Sequence, residues 1–139
     1  MWTTASGDYA TAIGNGVRAN GDYSLAAGEL ITNSGDFSVA IGSFIELSDS
    51  ADRAFVFGHG TEGDPIIVED PDVAVFYGTD VGIGTAAPER PLHISDVMRL
   101  EPRDSVPANP GAGDIYFNGI DQMLYCYASG DWRACFSLP

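Results

Sequence analysis

Small and bulky side chains alternate through the first 58 residues in blocks that return at a fixed distance. Ala10-Thr11-Ala12-Ile13-Gly14, Ser24-Leu25-Ala26-Ala27-Gly28 and Ser38-Val39-Ala40-Ile41-Gly42 lie 14 residues apart, as do Gly7-Asp8-Tyr9, Gly21-Asp22-Tyr23 and Gly35-Asp36-Phe37 before them. A fourth copy, Ala54-Phe55-Val56-Phe57-Gly58, arrives after 16, which puts a two-residue insertion near Ser48-Asp49-Ser50. A unit of this length is too short for a helical hairpin but fits two strands of about five residues and two tight turns. Each unit is therefore predicted to be one coil of a parallel β-solenoid. Gly-Asp supplies the turn chemistry at one edge. Gly14, Gly28, Gly42 and Gly58 are expected to bend the strand at φ values that only glycine adopts cheaply.

Within the first strand of each coil the two faces differ. One reads Ala10/Ala12, Ser24/Ala26, Ser38/Ala40 and Ala54/Val56; the other reads Tyr9/Thr11/Ile13, Tyr23/Leu25/Ala27, Phe37/Val39/Ile41 and Phe55/Phe57. Neither face carries charge, so both are expected to be covered. The small face suits the narrow inside of a flattened roll. Four coils stack to only about 15–20 Å, and a row of exposed aromatic rings is an aggregation hazard. Self-association is the expected remedy, with Tyr9, Ile13, Tyr23, Leu25, Phe37, Val39, Ile41, Phe55 and Phe57 as the interface.

The unit Gly-Asp-(Tyr/Phe)-(Ala/Ser)-x-Ala-x-Gly, over about Ala5 to Gly60, resembles the head repeat of trimeric autotransporter adhesins, which also occurs in bacteriophage tail fibres. The resemblance implies a β-roll in a homotrimer; the number three comes from it and not from the periodicity. Ile66-Ile67-Val68 and Val73-Ala74-Val75-Phe76-Tyr77 read as short strands around the acidic turn Glu69-Asp70-Pro71-Asp72. Val81-Gly82-Ile83-Gly84-Thr85-Ala86-Ala87-Pro88, continuing to Pro91-Leu92-His93-Ile94-Ser95, is similar to an element of phage tail fibres and tailspikes. That likeness favours a fibre over an adhesin head, which more often passes into a neck and helical stalk.

Val97 to Pro102 reads as one helical turn or a connector, and Pro102, Pro107 and Pro110 punctuate a linker. The last module reads as three antiparallel strands, Gly113–Asn118, Gln122–Tyr127 and Trp132–Phe136. It is similar to small β modules at the ends of phage fibres and bacterial surface proteins, which implies receptor contact or capping. Tyr116, Tyr125, Tyr127, Asp131, Trp132 and Arg133 are the candidates for touching a receptor, although three short strands have little besides these aromatics to bury. A two-residue Ser129-Gly130 loop sets Cys126 opposite Arg133 and Cys135 opposite Leu124. That diagonal is poor for a disulfide, whereas a shifted register permits one. Both remain open from sequence.

The expected organisation is a β-roll over 1–60, a transition region over 61–101 and an antiparallel tip over 102–139, all-β throughout. The charge of −14 comes from 20 acidic residues against six arginines and no lysine. This excludes Schiff-base and P-loop lysine chemistry and disfavours nucleic acid and anionic membranes as partners. No stretch approaches the roughly 20 apolar residues of a membrane span, and Met1–Asp8 does not read as a signal peptide.

Candidate chemistry is sparse. Gly58-His59-Gly60-Thr61-Glu62-Gly63 is a literal G-x-G-x-x-G, but an apolar strand follows where a dinucleotide site needs a helix. His59 and His93 have no ligand-spaced neighbours, and Asp64, Glu69, Asp70 and Asp72 read as a solvated acidic turn rather than a calcium loop. No G-x-S-x-G elbow occurs. The sequence therefore points to a non-enzymatic, cofactor-free and metal-free trimeric fibre protein of a phage particle. Its expected work is attachment to a host surface glycan or protein beside other virion proteins. The alternatives are a fragment of a bacterial surface adhesin or a capsid decoration protein.

Overall fold

A computed structural model describes residues 2–135, and all of the regular structure among them is β. The chain divides into two compact units, Met1–Ser95 and Asp96–Pro139.

The first unit is the roll. Strands β1 (Thr4–Ala5), β2 (Thr11–Asn15), β3 (Arg18–Ala19), β4 (Leu25–Asn33), β5 (Val39–Leu47), β6 (Phe55–His59), β7 (Ile66–Val68) and β8 (Ala74–Tyr77) form one eight-stranded sheet. Every pairing in it is parallel, and the register follows the repeat: Ala12 beside Ala26, Ala26 beside Ala40, Ala40 beside Val56, Val56 beside Val75. β2, the start of β4 and β5, β6 and β8 form the first half of successive coils. β1, β3, the ends of β4 and β5, and β7 form the second half. Two separate strands per coil were expected; β4 and β5 instead run for nine residues through the corner. They bend where Leu30 and Phe44 take left-handed φ values of 53° and 52°.

The small face is the inside, as the alternation predicts. Ala26, Ala40 and Val56 are fully buried against Val17, Ile31, Ile45, Leu47 and Ile66 of the second halves. The outward residues of those second halves are polar at Arg18, Thr32 and Glu46, and Ile67 of β7 ends that column as an exposed apolar residue. One outer side of the roll is thus suited to water, while the other is apolar.

At the Gly-Asp turns each backbone N–H donates to the aspartate of the next coil: Asp8 to Asp22 at 2.8 Å, Asp22 to Asp36 at 2.8 Å, Asp36 to Asp52 at 2.9 Å. This charge-assisted ladder explains why aspartate recurs at that position. The left-handed turn residue is the one after it, Tyr9, Tyr23, Phe37, Arg53 and Asp72 in successive coils. Gly14, Gly28 and Gly42 have φ of 129°, 139° and 136°, but Gly58 does not share that conformation. The expectation for Gly58 is corrected: what it shares with the others is close approach, since a Cβ there would strike the carbonyl oxygen of Tyr77.

The roll continues beyond Gly60. Ile45 pairs with Ile66 and Phe55 with Ala74, so β7 completes the fourth coil and β8 begins a fifth. Between β6 and β7, Thr61 and Asp64 close a local turn through reciprocal backbone hydrogen bonds of 3.0 and 3.1 Å. That insertion breaks the 14-residue spacing and hides these rungs from the sequence. After β8, β9 (Val81–Ile83) pairs in parallel with β10 (Leu92–Ile94) as a two-stranded ribbon.

In the second unit β11 (Ile115–Phe117), β12 (Leu124–Ala128) and β13 (Asp131–Ala134) form an antiparallel sheet in that order. Ser129 and Gly130, at φ 55° and 83°, make the two-residue hairpin loop. The last strand ends at Ala134 with Cys135 at a bend, and Phe136 lies outside the described residues. Val97–Pro102 is a connector without a helical turn. The linker is tied to the sheet where Arg103 N donates to Phe117 O and Gly119 N donates to Arg103 O.

Candidate functional site

Two surfaces gather the residues singled out by the sequence. The first is the apolar outer side of the roll. Parallel pairing sets Thr11, Leu25, Val39, Phe55 and Ala74 in one column and Ile13, Ala27, Ile41, Phe57 and Phe76 in the next. Leu25, Val39 and Ile41 are half-buried by their neighbours, while Ile13 is 60% exposed and Phe55, Phe57 and Phe76 are exposed too. Phe55 and Phe76 meet at a tilt with centroids 6.0 Å apart. Phe76 extends the column beyond the residues legible from the repeat.

Tyr9, Tyr23 and Phe37 do not lie on this strand face. Alternation assigns them there, but they occupy the left-handed turn just before each first strand. Their rings stack along the roll, Tyr9 on Tyr23 at 5.0 Å and Tyr23 on Phe37 at 4.8 Å. The stack remains open to solvent, Tyr9 being 82% exposed. It ends where the next turn residue is Arg53, whose guanidinium binds Asp72 through two hydrogen bonds of 2.6 and 2.8 Å. That hydrogen bond holds the Asp72 carboxyl below its ordinary range and raises Arg53.

The second surface is the aromatic face of the small sheet. Tyr116 stacks on Tyr125, and Trp132 stands edge-on to both Tyr116 and Tyr127. Tyr116 is only 6% exposed and acts as the centre of this cluster. Tyr125, Tyr127 and Trp132 are half-buried around it, with Asp131 and Arg133 exposed beside the hairpin loop. The Trp132 Nε1 is shut away from solvent and has no hydrogen-bond partner among the described residues. Tyr125 donates its hydroxyl to Asp121 Oδ2 at 2.7 Å, which pushes its ionisation upward.

Cys126 and Cys135 are joined in a disulfide. The register is the expected one, with Cys126 opposite Arg133 and Cys135 N donating to Leu124 O. The diagonal does not prevent the bond, because at the bend after β13 the two Cα atoms come within 5.2 Å. The opposite face of this sheet holds a feature the sequence did not announce, an apolar groove lined by Val97, Met98, Leu100, Ile115, Phe117 and Leu124.

The histidines sit in ordinary hydrogen bonds. His59 Nδ1 lies 3.2 Å from Ser43 Oγ, and His93 Nδ1 accepts from Glu89 N at 3.2 Å. Among the described residues no three His, Cys, Asp or Glu side chains are grouped to hold a metal ion. The G-x-G-x-x-G stretch runs into a tight turn and then β7, without the helix a pyrophosphate site needs.

Comparison with curated proteins and with solved structures finds no match. Residues 5–29 match the YadA head domain repeat in two copies. This is the stretch that forms the first coil and the start of the second.

Proposed function

We propose that this chain is a non-enzymatic, adhesin-type fibre protein that assembles as a trimer and attaches the surface bearing it to a host cell. The observation that carries the reading is the apolar outer column from Ile13 to Phe76, in which Ile13, Phe57 and Phe76 are exposed in the single chain beside a second outer side that is mostly polar. Three copies turning that column inward remove it from water at about 25 cal/mol per Å². In the same arrangement the polar side with Arg18 and Glu46 faces solvent. The head-repeat match at residues 5–29 supports the same assembly. The second unit then serves as the contact module, with Asp131, Arg133 and the rims of Tyr125, Tyr127 and Trp132 meeting a surface glycan or protein. Repetition around the axis multiplies weak contacts into avidity.

The test is native mass spectrometry together with cell binding. The expected mass is three chains, falling to one chain for Phe57→Asp. Removal of residues from Gly113 onward is expected to abolish binding to host cells while leaving the trimer intact. A monomeric wild-type chain overturns the reading. A bacterial cell surface and a phage particle are both suitable homes. The phage tail fibre is favoured by the Val81–Thr85 and Leu92–Ile94 segments, which resemble fibre elements and fold here as the parallel ribbon β9–β10.

A further inference from the structure

We infer that the β9–β10 ribbon of one copy adds as a strand to the free edge of β7 in a neighbouring copy. The inference rests on the self-associating reading above. β7 pairs with β5 on one side only, and no strand occupies its other edge. β8 continues the first halves of the coils beyond β6, but among the described residues no strand continues the second halves beyond β7. The end of the core is therefore left as an open groove lined by Ile66, Val68, Val73, Val75 and Tyr77.

The chain after β8 carries the features of the missing strand. Gly78, at φ 65°, turns the chain out of β8 beside His59. Val81-Gly82-Ile83 then repeats the inward–outward alternation of Val17-Arg18-Ala19 and Ile45-Glu46-Leu47. Yet β9 pairs only with β10, its far edge is unoccupied, and Ile83 and Leu92 remain exposed. Two strands of three residues do not make a stable sheet alone.

Within one chain β9 pairs with β10 and not with β7. A neighbour related by rotation offers the same edge at the same height. Each copy gives one strand and receives one, so a closed ring fills the β7 edge of every copy. Val81 and Ile83 then cover Ile66 and Val68, and Ile67 faces outward beside the start of β9.

The experiment uses two full-length chains, Ile67→Cys and Asp80→Cys, mixed during refolding and treated with a short bismaleimide; both native cysteines are occupied in their disulfide. Covalent dimers are expected in the mixed oligomer at several times the yield of either variant alone. Hydrogen exchange provides the second readout. Amides in 66–68 and 81–83 are expected to be protected in the oligomer and to lose protection on dilution to single chains. An intact trimer with neither cross-linking nor protection overturns the strand addition alone, whereas a single-chain mass overturns the assembly on which it rests.

Discussion

Ser38 holds its hydroxyl 2.6 Å from Asn33 Oδ1 inside the roll, and both side chains are fully buried. Asn33 also donates through Nδ2 to the carbonyl of Leu25 at 3.1 Å. Its neighbours in the coils on either side are Ala19 and Leu47, so one polar pair pins the two halves of a coil within an otherwise apolar column. Asn33→Leu removes both the acceptor beside the Ser38 hydroxyl and the side-chain donor to the Leu25 carbonyl, and is expected to cost about 1–3 kcal/mol in urea unfolding. The double variant with Ser38→Ala should recover part of that loss; an unchanged midpoint for the single variant would contradict the pinning role.

Gly28 and Gly63 form a matched pair for a second test. Gly28 has φ of 139°, and a Cβ there would run into the carbonyl oxygen of Gly42; a Cβ at Gly63 meets nothing. Gly28→Ala is expected to destabilise the roll by more than about 3 kcal/mol, whereas Gly63→Ala should leave thermal unfolding within about 0.5 kcal/mol of wild type. Similar melting curves for the two variants would refute the close-stacking account of the glycine column.

Acid should loosen the far end of the turn ladder first. Asp72 has its carboxyl lowered from an ordinary value of 3.8 by the hydrogen bond from Arg53. A lowered folded value contributes stability that is complete above the unfolded value and is lost as pH falls through the folded one. Amide exchange at Arg53 and Asp72 is therefore expected to accelerate below about pH 4. Arg53→Gln should show fast exchange at neutral pH and little further change on acidification.

Reduction should act on the second unit alone. Tyr116 is the one buried hydrophobic residue among its described residues, and a sheet so small needs a staple. The Cys126–Cys135 bond closes a short loop and is expected to contribute about 2–4 kcal/mol. With a phosphine reductant, amides of β12 and β13 should lose exchange protection while those of β4 and β5 keep theirs. Equal loss in both units, or none in either, would contradict this division.

The roll was legible because its rungs are set by backbone register, which a 14-residue spacing records directly: Gly14, Gly28 and Gly42 stand side by side in the sheet. The second-half strands were less legible, since their apolar positions are two or three per coil and the Thr61–Pro65 insertion shifts Ile66 out of phase. Tyr9, Tyr23 and Phe37 mislead a period-two reading because a left-handed residue turns its side chain off the strand face. Asn33 gives no sign of its buried partnership, which depends on Ser38 arriving from across the coil. In the second unit the loop length fixed the pairing of Cys126 with Arg133, but the bend that lets Cys135 reach back belongs to local geometry and not to pattern.

Coil-to-coil register has an evolutionary corollary. Because every turn meets the next through the same partners, a duplicated block of 14 residues can enter the shaft without disturbing those above or below it, adding about 4.8 Å of length. The roll can therefore lengthen or shorten by gene copying while the second unit is left alone.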